Sequence, residues 1–191
     1  MNNYLTSDTS ADELIRKESL QQRHYQLQNE LQQMAQELPN LYQQRMPYEL
    51  LSNLANCLLD TSIGQIVTGL KDIQHITEKT LFERRMRAVG HFREMKVEQQ
   101  KKHRLALQDR SMTPEMVAHE ERKLDRHIDD ETNKIDMKTI TELDQAVSEQ
   151  QLTLERAGVP GFYVTSNPTE IQLQRYILDF IVRTCTDQTQ Q

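Results

Sequence analysis

Tryptophan is absent from this sequence, and its 191 residues hold only 6 tyrosines, 4 phenylalanines, 5 glycines, 5 prolines and 2 cysteines. Each shortage excludes something. Aromatic residues at 5% supply neither an aromatic-rich core nor a platform on which bases stack. Cys57 and Cys185 have no metal or redox spacing. No run approaches the ~18 apolar residues of a membrane span. No basic segment followed by an apolar run marks a secretory leader, and no Asn-x-Ser/Thr acceptor is present. The sequence therefore predicts an intracellular protein of a reducing compartment, nucleus and/or cytoplasm.

What is present is polar and periodic. Hydrophobic residues make up 36% and charged residues 27%, and the excess polarity is largely glutamine. Few apolar residues spread over long periodic segments suit helices with narrow buried seams. The net charge of −6 favours solubility and opposes attraction of the whole surface to nucleic acid or anionic lipid.

One stretch dominates the chain. From Leu70 to Ala157 only Gly90 and Pro114 can interrupt a helix. Arms of roughly 40 residues would be about 60 Å long, which points to a coiled-coil hairpin turning near 110–114. Thr113 reads as a helix cap and Pro114 as a first helical residue. Antiparallel pairing would place Leu81 by Leu143, Val89 by Ile135 and Leu107 by Val117. The step of five from Ile135 to Ile140 predicts a slip in the register.

The flanking segments are helical too. Residues 1–9 read as disordered. Ser10 to Glu13 reads as a capping box opening a helix that carries Leu14, Leu20, Leu27, Leu31, Met34 and Leu38, with Tyr25 close to the stripe. Pro39 ends it. Pro47 fits a first helical turn, and Leu50, Leu51, Leu54, Cys57 and Leu58 form a broad buried face. Within that face Cys57 reads as a small core residue rather than a reactive thiol. Asp60, Thr61 or Ser62 can cap the next helix. Gly64 and Gly69 suggest a close helix approach, because a phosphate loop would need a following Lys-Ser/Thr. Gly158 reads as a left-handed C-terminal cap, and Asn167, Pro168 and Glu170 as the start of a last helix bearing Ile171, Ile177, Leu178, Ile181 and Val182.

The expected fold is all-α, a long antiparallel coiled-coil hairpin with a small helical bundle at one end. Residues 10–80 form a helical region and 81–157 the hairpin. Residues 158–184 form a loop and a C-terminal helix packing on 10–80, and 185–191 a flexible tail.

Charge divides the hairpin. Lys71 to Arg110 holds eleven Lys/Arg and six Asp/Glu; Glu115 to Glu155 holds five and twelve. In one reading the two arms satisfy each other and set their own register. In another, Arg84, Arg85, Arg87, Arg93, Lys96, Lys101, Lys102 and Arg104 form a nucleic-acid stripe. Aromatic interleaving and any recognisable nucleic-acid module are missing, which makes nucleic acid the weaker partner class. An acidic protein partner is a third possibility. His119 and His127 with Glu131 share a helix face but lack the His-Glu-x-x-His or paired Glu-x-x-His pattern, so no metal or other cofactor is expected.

Residues 158–168 are the only non-helical stretch with apolar content. Val159, Phe162, Tyr163 and Val164 are candidate partner-binding residues. Phe162 and Val164 either bury against the Leu50–Leu58 and Ile63–Ile73 helices, or stay partly exposed for an outside chain to dock. No catalytic constellation is visible, so the expectation is a non-enzymatic protein that binds proteins, with self-association through helical seams as a further possibility.

Several segments carry a resemblance. Arg23-His24-Tyr25-Gln26-Leu27, Glu37-Leu38-Pro39 and Ile73-Gln74-His75-Ile76-Thr77-Glu78-Lys79 are among them. The run from Thr153-Leu154-Glu155-Arg156-Ala157-Gly158 through Val159-Pro160-Gly161-Phe162-Tyr163-Val164 to Thr165-Ser166-Asn167-Pro168 is the most specific. Together they resemble the DiGeorge-syndrome critical-region protein family, most of all its insect, gonadal, representative, over roughly residues 20–180. The resemblance implies a helical, coiled-coil, non-enzymatic protein in a developmental or gametogenesis-related setting, nuclear or cytoplasmic, with no catalytic or cofactor residues to carry over.

Overall fold

The structure, a computed structural model, describes residues 7–188 and their side chains from 12 to 186. It is all-α. Among the described residues six helices follow in order: α1 Ser7–Gln36, α2 Asn40–Gln43, α3 Tyr48–Cys57, α4 Thr61–Gln108, α5 Pro114–Arg156 and α6 Pro168–Gln188. Ser7 to Ser10 already belong to α1, so Ser10 does not open the helix as a capping box would require; residues 1–6 of the expected disordered terminus, and 189–191 of the tail, lie outside the described residues. The last helix runs through Thr186 to Gln188, into the segment expected to be a flexible tail.

The chain divides into two compact units. One comprises residues up to Asp72 and from Ser148 onward, the other Ile73–Val147. The first unit has the core. Leu27 and Leu31 of α1, Leu51, Leu54, Ala55 of α3, Leu58 after it, and Ile63 and Val67 of α4 are buried together. Leu154 of α5 joins them, with Leu173, Ile177, Phe180 and Ile181 of α6. The spacing of Leu27, Leu31, Met34 and Leu38 does mark the packed side of α1. Tyr25, however, is exposed; His24 takes its place, half-buried with Nε2 3.3 Å from the Ser52 carbonyl. Leu14 and Leu20 are exposed as well. Phe180 and Leu173 are core residues that the apolar spacing of α6 did not single out.

Local signals set the ends of these helices. The Gln43 side-chain amide donates to the Gln36 and Leu38 carbonyls at 2.9 and 2.7 Å, satisfying acceptors orphaned at the end of α1. Pro47 is the residue before α3, with ψ at 159°, rather than its first helical residue. Asp60 caps α4, its Oδ1 accepting from the Ser62 amide at 2.8 Å, which holds its carboxyl below the usual range. A Cβ on Gly64 would stand 2.7 Å from Cys185 Sγ, so α4 and α6 do approach closely there, whereas Gly69 has open space. The end of α5 is a Schellman turn. The Val159 amide donates to Leu154 and the Gly158 amide to Glu155, both at 3.0 Å, with Gly158 at φ +76°.

The second unit contains the long parts of α4 and α5. Arg84 pairs with Glu142 at 2.9 Å, Arg85 with Asp136 at 2.7 Å and Lys96 with Asp125 at 2.7 Å; nearer the turn, His103 Nδ1 is 3.7 Å from Glu121. As one number rises the other falls, so the two helices run antiparallel. Their connection is built locally. Arg110 adopts φ +60°, the Ser111 amide reaches back to Ala106 at 2.9 Å, and Thr113 Oγ1 accepts from the Met116 amide at 3.3 Å.

Shielded positions in this unit repeat every eleven residues. Leu81, Phe92 and His103 are buried or half-buried at that interval, as are Arg84, Met95 and Ala106; on α5, so are Val117, Ile128 and Thr139, and Leu124, Ile135 and Ala146. Eleven residues over three turns gives ~3.67 per turn, close to a straight helix and unlike the seven-residue repeat of a left-handed supercoil. The expected slip after Ile135 therefore does not arise. Thr139 occupies the shielded position, its hydroxyl bonded to the Ile135 carbonyl at 2.8 Å, and Ile140 is exposed. Leu107 is exposed too, so it does not face Val117 across a seam; Ala106 and buried His103 hold that level.

Candidate functional site

The segment between α5 and α6 is fixed by two buried glutamines. Gln151 Nε2 donates to Gln174 Oε1 at 2.8 Å and to the Thr165 carbonyl at 3.2 Å, and its Oε1 accepts from the Thr165 amide at 3.1 Å. Gln174 Nε2 donates to the Tyr163 carbonyl at 2.9 Å and the Gly161 carbonyl at 3.4 Å. In an extended segment alternate residues turn their backbone groups to the same side. Residues 161, 163 and 165 thus find in side-chain amides what a neighbouring strand would otherwise supply. No strand forms among the described residues.

This placement sorts the four candidate binding residues. Val159 and Phe162 are buried with the core of the first unit, Phe162 at 6% exposure. Tyr163 and Val164 are exposed, at 43% and 51%. Phe162 thus takes the internal position, while Val164 does not bury as the internal reading required. Gly161, at φ +83°, packs so tightly that a Cβ would lie 2.7 Å from Ile177 Cδ1.

Glu170, expected as an ordinary first-turn acid, accepts from the Tyr163 hydroxyl at 2.7 Å and pairs with Arg45. That hydrogen bond pushes the Tyr163 phenol above its usual range, with partial desolvation adding to it. The cap of α6 is Asn167, whose Oδ1 accepts from the Thr169 amide at 2.9 Å. Sequence reasoning missed Gln151 and Gln174. The one available signal was Gln174 itself, three residues from both Ile171 and Ile177 on an otherwise apolar stripe.

The remaining candidates are spread apart. Half-buried Cys57 lies with Sγ 3.9 Å from the Gly158 carbonyl; burial first, and Asp60 second, push its thiol up, away from the reactive thiolate. Glu131 is bonded to Lys134 at 2.7 Å, while His119 and His127 are exposed. No three His, Cys, Asp or Glu side chains converge among the described residues. Of the basic stripe, Arg84, Arg85 and Lys96 are paired across to α5, and Lys102 pairs with Glu98 on its own helix. No described helix is long and apolar enough to cross a membrane.

Comparison with known proteins places these features. No solved structure matches the chain. It is 41% identical over 179 residues to protein DGCR6 of Gallus gallus, covering 91% of this chain and 88% of that one. It is 40% identical over 166 residues to gonadal protein gdl of Drosophila melanogaster, covering 87% of this chain and 81% of that one. Residues 4–191 match the DiGeorge syndrome critical region 6 (DGCR6) protein family, and the chain belongs to that family.

Proposed function

We propose that the chain is a non-enzymatic interaction protein, an adaptor or a subunit of a larger assembly, whose α4–α5 pair acts as a coiled-coil hairpin presenting its outer faces to other proteins. One observation carries this reading. The two helices spend Arg84, Arg85 and Lys96 on each other while leaving apolar side chains such as Ile73, Ile76, Phe82 and Ile140 exposed. Apolar side chains gathered on a surface mark interaction sites. The segment 158–168 adds a second contact, with exposed Tyr163 and Val164 offered on a backbone already held in place, and Val159 and Phe162 anchoring it. Such preorganisation lowers the entropy lost on binding. The family name and that of the gonadal relative support a developmental or gametogenesis-related setting.

A second reading, a nuclear nucleic-acid-associated factor using residues 84–104, rests on Arg93, Lys101 and Arg104, which make no ion pair among the described residues. Its basic stripe is already partly neutralised by α5. Affinity purification of the tagged chain at native expression, with and without nuclease, separates the two. The expected result is a set of proteins that survives nuclease and a rise from about 50 to 200 mM salt. Release by either treatment would favour phosphate contacts, whose affinity falls steeply with salt.

A further inference from the structure

Outside the shielded positions, the α4–α5 pair has a flank defined by its own ion pairs. Arg85–Asp136 and Lys96–Asp125 lie on one side of the two helices, and Asp129 is close enough to Lys96 to help raise its pKa. On α4, Phe82, Met86, Val89, Arg93 and Lys96 follow at steps of four, three, four and three, forming one stripe along that side. On α5, Asp136, Ile140, Leu143 and Val147 follow at steps of four, three and four, with Asp129 one seven-residue step before Asp136. In the register set by Arg85–Asp136, Phe82 stands beside Ile140, with Met86 about one turn nearer the connection and Leu143 about one turn farther from it. Phe82 is 63% exposed and Ile140 51%, with Met86 and Val147 also exposed. The result is an apolar patch continuing into a basic stripe on one helix and an acidic stripe on the other.

We propose that this flank docks a second copy of the chain, with α4 of each copy lying against α5 of the other. The charge pattern selects that occupant. A partner of uniform charge would be repelled by one of the two stripes. A second copy related by a two-fold axis parallel to the helices keeps every residue at its own level and exchanges the two helices across the interface. Apolar patch then meets apolar patch, and Arg93 and Lys96 of one copy face Asp129 and Asp125 of the other, twice over, as an isologous interface requires. A two-fold axis across the helices would instead lay α4 on α4, basic on basic. The match disfavours the wrong arrangement as well as stabilising the right one.

This goes beyond the adaptor reading and does not depend on it. Ile73 and Ile76 lie on the opposite flank, toward Arg84, and stay open to other proteins. The test is sedimentation equilibrium on the full chain. The expected result is a dimer at about 1–100 µM. Phe82→Glu with Ile140→Glu should be monomeric, with unchanged helicity by circular dichroism, since like charges then face each other at both symmetry-related contacts. Arg93→Asp alone and Asp129→Arg alone should each weaken the dimer about 10-fold or more, since each sets like charges against each other. Mixing those two variants should restore association. In the mixed dimer the two substituted positions meet with opposite charges at one contact, and the native Arg93 and Asp129 meet at the other. A monomeric wild-type chain over that range overturns the proposal, even where other proteins co-purify with it. So does a dimer indifferent to Phe82→Glu with Ile140→Glu, or a mixture that associates no better than its components.

Discussion

Gln151 and Gln174 donate and accept one hydrogen bond at 2.8 Å, and between them they engage four backbone groups of residues 161–165. The link therefore joins α5, α6 and the segment between them in one buried network. Polar groups in such a setting are costly to leave unpaired. Gln174→Ala should destabilise the chain by about 2–4 kcal/mol in urea unfolding, since the Tyr163 and Gly161 carbonyls and Gln151 all lose a partner. Gln151→Ala combined with it should cost less than the two single changes added together. Additive costs would mean the two side chains act separately.

Phe162→Ala should lower the melting temperature, with a cost of about 3–5 kcal/mol for a buried ring. Val164→Ala, at an exposed position on the same segment, should leave stability within about 0.5 kcal/mol. Thermal unfolding followed by circular dichroism reads both. Equal effects would mean the segment packs differently.

Arg110 occupies a left-handed conformation at the end of α4, where glycine is the usual residue. Arg110→Gly should stabilise the chain by about 0.5–1 kcal/mol through relief of that conformation. A loss of stability would mean that the Arg110 side chain contributes more than its backbone strain costs.

The Arg85–Asp136 pair gives a pH dependence of known sign. The hydrogen bond from Arg85 holds the Asp136 carboxyl below its usual range. A depressed carboxylate contributes stability above its unfolded pKa and loses it as pH falls through the folded value. Wild-type stability should therefore drop more than that of Asp136→Asn as pH is lowered below about 4. Raising the salt concentration should narrow the difference at neutral pH, because the pair is exposed. Parallel acid limbs for the two proteins would mean that the pair contributes nothing to stability.

Helix punctuation was legible in the sequence at three helix ends, though not at Pro47 or Ser10. Thr113 with Pro114, Gly158 with Val159, and Asn167 with Pro168 each close hydrogen bonds within a few residues, so no distant contact was needed to read them. The interior of α5 was not legible in the same way. Counting apolar residues alone carried the pattern from Ile135 to Ile140, whereas Thr139 is the shielded residue because its hydroxyl is satisfied on its own helix. Gln151 and Gln174 were hidden for the same reason. A glutamine reads as exposed unless the backbone groups it will serve are known, and those lie in a segment brought to it only by folding. Phe162 and Val164 illustrate the limit at the candidate site. Both looked equally apolar, and strand alternation would set residues two apart on one face, yet Phe162 is buried and Val164 exposed.

The central claim is that the outer face of the long helices binds protein. Ile73→Glu with Ile76→Glu tests it most directly, because both side chains are exposed and three residues apart on one face of α4. Quantitative mass spectrometry of proteins co-purifying with the wild-type and the doubly substituted chain is the measurement, alongside a melting curve for each. The expected result is an unchanged melting temperature and the loss of specific partners. Full recovery of the same partners by the substituted chain would contradict the claim.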